Sequence, residues 1–299
     1  MAFERAAARH PLAHELAFGV LYGVVLLSLI FAPDGPAWRE IGIWMALAAT
    51  SGTVIAFTIA RPTTLLWRVR LGVYLVLMNV AYLRVAHVVT ALYGGLASRD
   101  SWLQAADTAL FGRPVPLYLE RWSHPLLSDA LSACYFLLFP YLVISVVRRL
   151  LAVRADAAEA RRFFAGLFTV YAVGFLGYLL VPAAGAYLVM PDAFVSPLVG
   201  GWMTHLNDSV VRHGSNRVDV FPSLHIAASA FMLFFDRRFA RWRYYAYLIP
   251  AIGLWISTVY LRFHYGVDVL AGFALAAFGL WVAFRRDASD CPSSWSASR

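Results

Sequence analysis

The residues best suited to chemistry in this 299-residue chain fall in two short stretches. The second in chain order runs Ser257-Thr258-Val259-Tyr260-Leu261-Arg262-Phe263-His264-Tyr265-Gly266-Val267-Asp268. His264 and Asp268 are four apart, so on a helix they share one face, one turn apart. A carboxylate that accepts from one imidazole nitrogen fixes the tautomer and leaves the other nitrogen free as nucleophile or base. The first stretch is Phe221-Pro222-Ser223-Leu224-His225. Pro222 suits the first turn of a helix, where a missing N–H is harmless. The free N–H groups and dipole of such a helix start favour an anion. Ser223 adds a hydroxyl, and His225 follows half a turn further in. Taken singly, a histidine at a span end is more often a polar residue at the interface. The joint pattern of two imidazoles, a carboxylate, a hydroxyl and a helix start is much less expected by chance and points to chemistry at a bound anion.

The elements that must position these residues are membrane spans. The chain is 61% hydrophobic and 14% charged, against about 25% charged for a soluble domain. A helix crossing a bilayer needs about 20 mostly apolar residues. The expected fold is all-α, a polytopic transmembrane helix bundle of about eight spans: 16–32, 41–60, 71–93, 126–147, 163–182, 222–236, 244–262 and 265–284. The sixth is short, which leaves seven or eight. The expected organisation is a two-span extension over 1–70, a catalytic membrane domain with a six-helix core over 71–286, and a disordered Ser-rich tail over 287–299. The charged start and apolar stretch of residues 1–32 resemble a signal peptide, but no small-residue cleavage site follows Phe31, so an uncleaved first span is expected.

All 25 basic residues are arginine, and the net charge is +8. The arginines are scattered through short loops, which excludes a nucleic-acid surface and fits topology-setting charge. With the N-terminus inside, 17 arginines fall in inside segments and 6 in outside loops. Both termini are then cytoplasmic, and His225 and His264 both reach the outer face. The expected setting is a bacterial inner membrane with the site facing the periplasm. Ionisable residues at membrane depth are costly and functional by default. Cys134 lies in an apolar run and Cys291 in the polar tail, so neither a disulfide framework nor a cysteine metal site is expected. The Asn207-Asp208-Ser209 sequon would carry nothing in a bacterium. Segment 99–124, with Trp102, Leu103, Leu110, Phe111 and Trp122, is expected to lie along the outer surface.

The two stretches resemble the second and third signature motifs of the type-2 phosphatidic acid phosphatase superfamily. Ser257, His264, Asp268 and Gly272 fall in register with the third motif. Leu224 stands where the family usually has Gly, and Thr258 where it has Arg. The lysine-containing first motif is missing, and Pro182-Ala183-Ala184-Gly185 is its nearest positional equivalent. Phe221-Pro222-Ser223-Leu224-His225 resembles the branch containing inositol phosphorylceramide synthase, as does Asp107-Thr108-Ala109-Leu110-Phe111-Gly112. The resemblance covers about 71–284.

The resemblance implies that His264 attacks phosphorus to form a phosphohistidine, that Asp268 orients it, and that His225 protonates the leaving oxygen as a general acid. Ser223 and the N–H groups of the sixth span would bind phosphate oxygens. Capture by water gives a phosphatase; capture by an alcohol such as inositol, a sugar or another lipid gives a phosphotransferase, the preferred outcome. The implied substrate is a phospholipid or polyprenyl phosphate in the bilayer, with no metal or other cofactor. The lost family cations leave phosphate binding short of positive charge. Arg84, Arg262 and Arg217 are the candidate replacements, with His87, one turn from Arg84, as a headgroup contact. Arg84 could instead form a structural ion pair, for which Asp129 is a candidate; otherwise Arg84→Ala should lower activity sharply without loss of expression. Two other classes compete. A b-type cytochrome would ligate haem within spans, not at span ends, and a transporter would show a paired inverted repeat, which is not apparent.

Overall fold

A computed structural model describes residues 12–94, 98–152 and 157–285; the Ser-rich tail and the first eleven residues lie outside them. Among the described residues every regular element is a helix. They are α1 Ala13–Ile30, α2 Trp38–Ala60, α3 Thr64–Tyr93, α4 Asp100–Phe111, α5 Val115–Leu119, α6 Pro125–Phe136, α7 Leu138–Leu151, α8 Ala157–Leu180, α9 Ala186–Val189, α10 Trp202–Gly214, α11 Leu224–Phe239, α12 Arg241–Tyr260 and α13 Gly266–Phe284.

Among the described residues, six segments are long and apolar enough to cross a membrane: 13–30, 38–60, 64–93, 125–151, 157–180 and 266–284. Two of the eight expected spans fall short of that standard for different reasons. Helix α11 has only 16 residues, and α12 opens on Arg241 and Arg243 and contains Pro250. Both are packed within the bundle, with α11 against α8, α12 and α13. The expected fourth span is a broken rod: α6 ends at Phe136 and α7 resumes at Leu138. Pro140 lacks the N–H that would bond the Phe136 carbonyl, which accounts for the break.

Helix α8 is the axis of the molecule, with 72% of its most apolar window buried, against 39% or less for the other five. Helices α1, α3, α11 and α13 all pack on it, and Phe163, Phe164, Phe168 and Phe175 fill the layer between them. At one end of the bundle Asp236, fully buried, accepts from Arg149, from Arg243 Nε at 2.8 Å and from the Tyr141 hydroxyl at 2.9 Å. This cluster ties α7, α11 and α12 together. His225 lies 11 residues earlier on α11, about 17 Å away along the axis, and so belongs to the opposite end. That end is covered by α4, α5, α9 and α10, which the sequence reading had largely left as loop. Trp102, Leu110 and Trp122 there are exposed, as an interfacial segment requires.

Candidate active site

The site is built from three helix ends. Helix α11 begins at Leu224, not at Pro222. Ser223 is its N-cap, the side chain accepting from the Ile226 amide at 3.4 Å, and Pro222 precedes it after a cis peptide bond. Pro222 is therefore outside the first turn in which the sequence placed it. The Ser223 amide donates to the Asp268 carbonyl at 3.3 Å, which ties the two motif stretches together. Two glycines admit this close approach. A Cβ on Gly272 would meet the Ser223 carbonyl oxygen at 2.7 Å, and one on Gly174 of α8 would meet Leu224 Cδ2 at 2.5 Å. The leucine that replaces the family's usual glycine thus has its own seat.

His264 lies in the loop between α12 and α13. That loop is closed by its own backbone: the amides of Phe263 and His264 both donate to the Thr258 carbonyl, at 3.1 and 2.9 Å. Thr258, at the position usually held by arginine, is fully buried, and its hydroxyl donates back to Trp255 O at 2.9 Å. No cation enters the site from that position.

The rings of His225 and His264 lie 5.7 Å apart, edge to face. His264 Nδ1 is 3.4 Å from Asp268 Oδ2, and its Nε2 is 3.4 Å from Ser223 Oγ. Both separations exceed the roughly 2.7–3.2 Å of a formed N–H···O bond; catalytic contacts commonly tighten only around substrate. Asp268 Oδ2 also accepts from the Tyr265 amide at 2.9 Å, which fixes the carboxylate at the helix start. Burial holds the His264 imidazole down to about 4, against the Asp219 carboxylate, which pulls it upward. At neutral pH the ring is therefore uncharged and its free nitrogen nucleophilic.

Four residues support the site; the sequence reading missed three of them and noted Asp107 only as part of a stretch resembling the family branch. Tyr135 of α6 is hydrogen-bonded to His225 Nε2 at 2.7 Å. Asp219 lines the same cavity and accepts from the Tyr82 hydroxyl at 2.6 Å and the Ser215 hydroxyl at 2.7 Å. Asp107 of α4 accepts from the amides of Gly266, Val267 and Val115. Asp100, two turns earlier on the same face of α4, accepts from Ala184 N, Gly185 N and the Tyr265 hydroxyl. Asp219 stands four residues before Ser223, the one signal that could have flagged it. The Pro182–Gly185 segment does reach the site, since Ala184 lines the cavity.

The other expected residues are placed elsewhere. Arg84 is ion-paired with Glu40 of α2, with Nε donating to Oε2 at 3.1 Å, and is absent from the cavity lining. Its partner is thus Glu40 and not Asp129, which instead accepts from Gly201 N and Thr204 N at the start of α10. His87 is exposed on α3. Arg217 adopts a left-handed backbone (φ 59°) with an exposed side chain. Arg262, also left-handed (φ 67°), points away from His264, donating to the Ser196 carbonyl at 2.7 Å and lying 3.8 Å over the Phe194 ring. None of the four brings a cation to the histidines.

The histidines open into a cavity of about 620 Å³. It runs between α3, α6, α7 and α8, from Asp219, His225 and His264 past Tyr178 to Leu167, which is about 17 Å along α8. Most of the lining is apolar, and among the described residues no arginine is in it. Phe139, Val143 and Val147 line it and are also exposed, so the cavity reaches the flank of the bundle.

A polytopic helical membrane protein with paired histidines at one end of the bundle is the class this geometry defines. The family model of the PAP2 superfamily matches residues 101–282, more than half of the chain. The chain belongs to the PAP2 superfamily, and a phosphatase-type enzyme acting on lipid in a bilayer follows from that membership. No curated protein and no solved structure matches it.

Proposed function

We propose that the chain is a lipid phosphotransferase or phosphatase working through a phosphohistidine on His264, with transfer of a phospho-headgroup, as in inositol phosphorylceramide synthase, the preferred outcome. The observation that carries the reading is the convergence of His264 Nε2, Ser223 Oγ and the His225 ring at the start of α11, at the mouth of an apolar slot. In the first half-reaction the Nε2 lone pair attacks phosphorus while the bond to the leaving oxygen breaks, and that oxygen takes a proton from His225, whose imidazole burial holds down to about 3 in the free site and which takes up its proton as the phosphate anion arrives beside it. In the second, an acceptor hydroxyl loses its proton to His225 and attacks phosphorus, and the N–P bond breaks to restore neutral His264. Asp268 holds the ring and balances its positive charge in between. The amides at the start of α11 and the Ser223 hydroxyl stabilise the charge that develops on the phosphoryl oxygens.

The cation-poor cavity favours a phosphodiester donor with one negative charge over a monoester with two. That preference, and the departures at Leu224 and Thr258, support transfer over hydrolysis. The slot suits a hydrocarbon chain entering sideways from the bilayer. The arginine distribution supports an orientation with the catalytic end outside the plasma membrane, in a bacterium the periplasmic face. The test is to incubate purified protein with phosphatidic acid, a polyprenyl phosphate and phosphatidylinositol, with and without alcohol acceptors, beside His264→Ala. A new phosphodiester lipid supports transfer, and free phosphate alone supports hydrolysis. An acid-labile phosphoenzyme should be trapped on the wild type and be absent from His264→Ala; equal turnover by both proteins would reject the mechanism.

A further inference from the structure

Tyr135, the penultimate residue of α6, is 2% exposed and touches both motif stretches. Its ring lies 4.6 Å from the His225 ring and 5.3 Å from that of Phe263, the neighbour of His264 in the catalytic loop. Its hydroxyl is 2.7 Å from His225 Nε2, a formed hydrogen bond and shorter than either contact of His264. All three side chains line the catalytic cavity. Phenylalanine would fill the same space and make the same ring contacts, so packing alone does not call for the hydroxyl. The hydroxyl bears instead on proton transfer. A neutral imidazole donates from one ring nitrogen and accepts at the other, and an imidazolium donates from both. With Nε2 of His225 engaged by Tyr135, Nδ1 is the nitrogen left to meet a substrate in the cavity.

We propose that Tyr135 is the positioning residue of the general acid: its phenolic oxygen accepts from Nε2–H of His225 throughout the cycle, so that Nδ1 is the nitrogen that exchanges the proton with substrate. In the first half-reaction the imidazolium passes its Nδ1 proton to the leaving oxygen while Nε2–H stays on Tyr135. The neutral ring that results carries its lone pair on Nδ1, where it takes the acceptor's proton in the second half-reaction. The opposite tautomer, with Tyr135 donating to Nε2, puts hydrogen on Nδ1 and leaves the ring no base for that step. A charged donor makes the stronger hydrogen bond, so Tyr135 also favours the imidazolium, against the burial that disfavours it. This inference rests on the phosphohistidine reading for its kinetics, whereas the tautomer is a property of the resting protein.

The experiment uses the full-length protein in lipid nanodiscs. Nitrogen NMR of isotope-labelled histidine, with His225→Gln to assign the His225 signals, reads the tautomer. The expected result is a neutral ring protonated on Nε2 in the wild type and a mixture of tautomers in Tyr135→Phe. Kinetics follow the first turnover, in which the leaving alcohol is released, for one lipid phosphate esterified to an alkyl alcohol or to p-nitrophenol. Nitrophenolate leaves without a proton, so a weakened general acid slows the alkyl ester alone. Tyr135→Phe should slow the alkyl ester about tenfold or more and the nitrophenyl ester by less than about twofold. In a His225→Gln background the same substitution should have no further effect, because Tyr135 acts through that ring. An equal fall for both esters, or a full further loss beside His225→Gln, would make Tyr135 a packing residue and overturn the proposal. A resting ring protonated on Nδ1 would overturn it as well, and decides alone should Tyr135→Phe fail to accumulate. Wild type that forms no phosphohistidine from either ester rejects the phosphotransfer reading, and the tautomer then tells separately whether Tyr135 holds the ring as proposed.

Discussion

The Asp107 carboxylate accepts the Gly266 amide at 2.9 Å and with it holds the first turn of the helix that carries Asp268. Its other oxygen accepts from Val267 N at 2.7 Å, so one buried side chain occupies two of the unpaired donors at the start of α13. Asp107 touches none of the reacting groups. It is a positioning residue, acting through the helix start that sets His264 against Asp268.

Asp107→Ala should therefore cost about 2 kcal/mol of stability, as loss of a strong helix cap does, and lower kcat more than it raises KM. Asp107→Asn keeps one acceptor and should recover part of both. The check is a thermal melt in detergent beside a kcat and KM split for all three proteins. An Asp107→Ala enzyme with wild-type kcat would show that the loop holds itself.

The pH profile follows from His264. Burial holds its imidazole down to about 4, so the proposed nucleophile stays neutral through the physiological range and is lost as pH falls through that value. Asp219 stabilises the protonated ring and therefore raises this value. Its removal in Asp219→Asn should move the acid limb of kcat/KM to lower pH. A phosphodiester lipid should be used, since its own charge is constant over the range. An acid limb that moved upward in Asp219→Asn would reverse the electrostatic assignment.

The proposed catalytic residues stood out in the sequence because their pattern is local. His264 and Asp268 are one helical turn apart, and Ser223 and His225 flank a helix start. What supports them was not legible, because it arrives from far along the chain. Asp107 meets Gly266 across 159 residues and Tyr135 meets His225 across 90, and no pattern near Asp107 or Tyr135 says which amide or ring it will find. Arg84 shows the same limit from the other side. An arginine within a span must find a carboxylate or a ligand, and the sequence reading named Asp129 as the carboxylate. Helix packing decided it, since α2 lies against α3 and Asp129 is consumed at the start of α10. The helical class followed from apolar length, whereas α11 and α12 fall short of that length or hydropathy and the break at Leu137 depended on Pro140 within a run otherwise uniform in hydropathy.

Arg84→Ala is accordingly expected to act on stability, not chemistry. The Arg84 and Glu40 side chains are 17% and 9% exposed, and removal of one partner leaves the other charged and poorly solvated. The loss should be about 1–3 kcal/mol, with kcat/KM per folded molecule retained. Arg84→Met combined with Glu40→Gln should recover most of it, read as a double-mutant cycle of melting temperatures. A sharp fall in kcat/KM with an unaltered melt would return Arg84 to the phosphate.

The slot makes the last claim. Val143 lines the cavity on α7 and is 59% exposed on the flank of the bundle, so a larger side chain there would obstruct a hydrocarbon chain without touching His225 or His264. Val143→Trp should leave a short-chain dioctanoyl substrate nearly as good as before. A long-chain substrate would lose contact with the walls beyond the obstruction. Each methylene removed from such a wall is worth about 0.8 kcal/mol, so two displaced methylenes lower kcat/KM for the long chain relative to the short by about tenfold. The measurement is a competition between dioctanoyl and dioleoyl forms of one headgroup in mixed micelles, with product chain lengths read by mass spectrometry. An unchanged ratio would mean that the chain lies outside the bundle against the bilayer, and that the cavity serves only the phosphoryl end of the lipid.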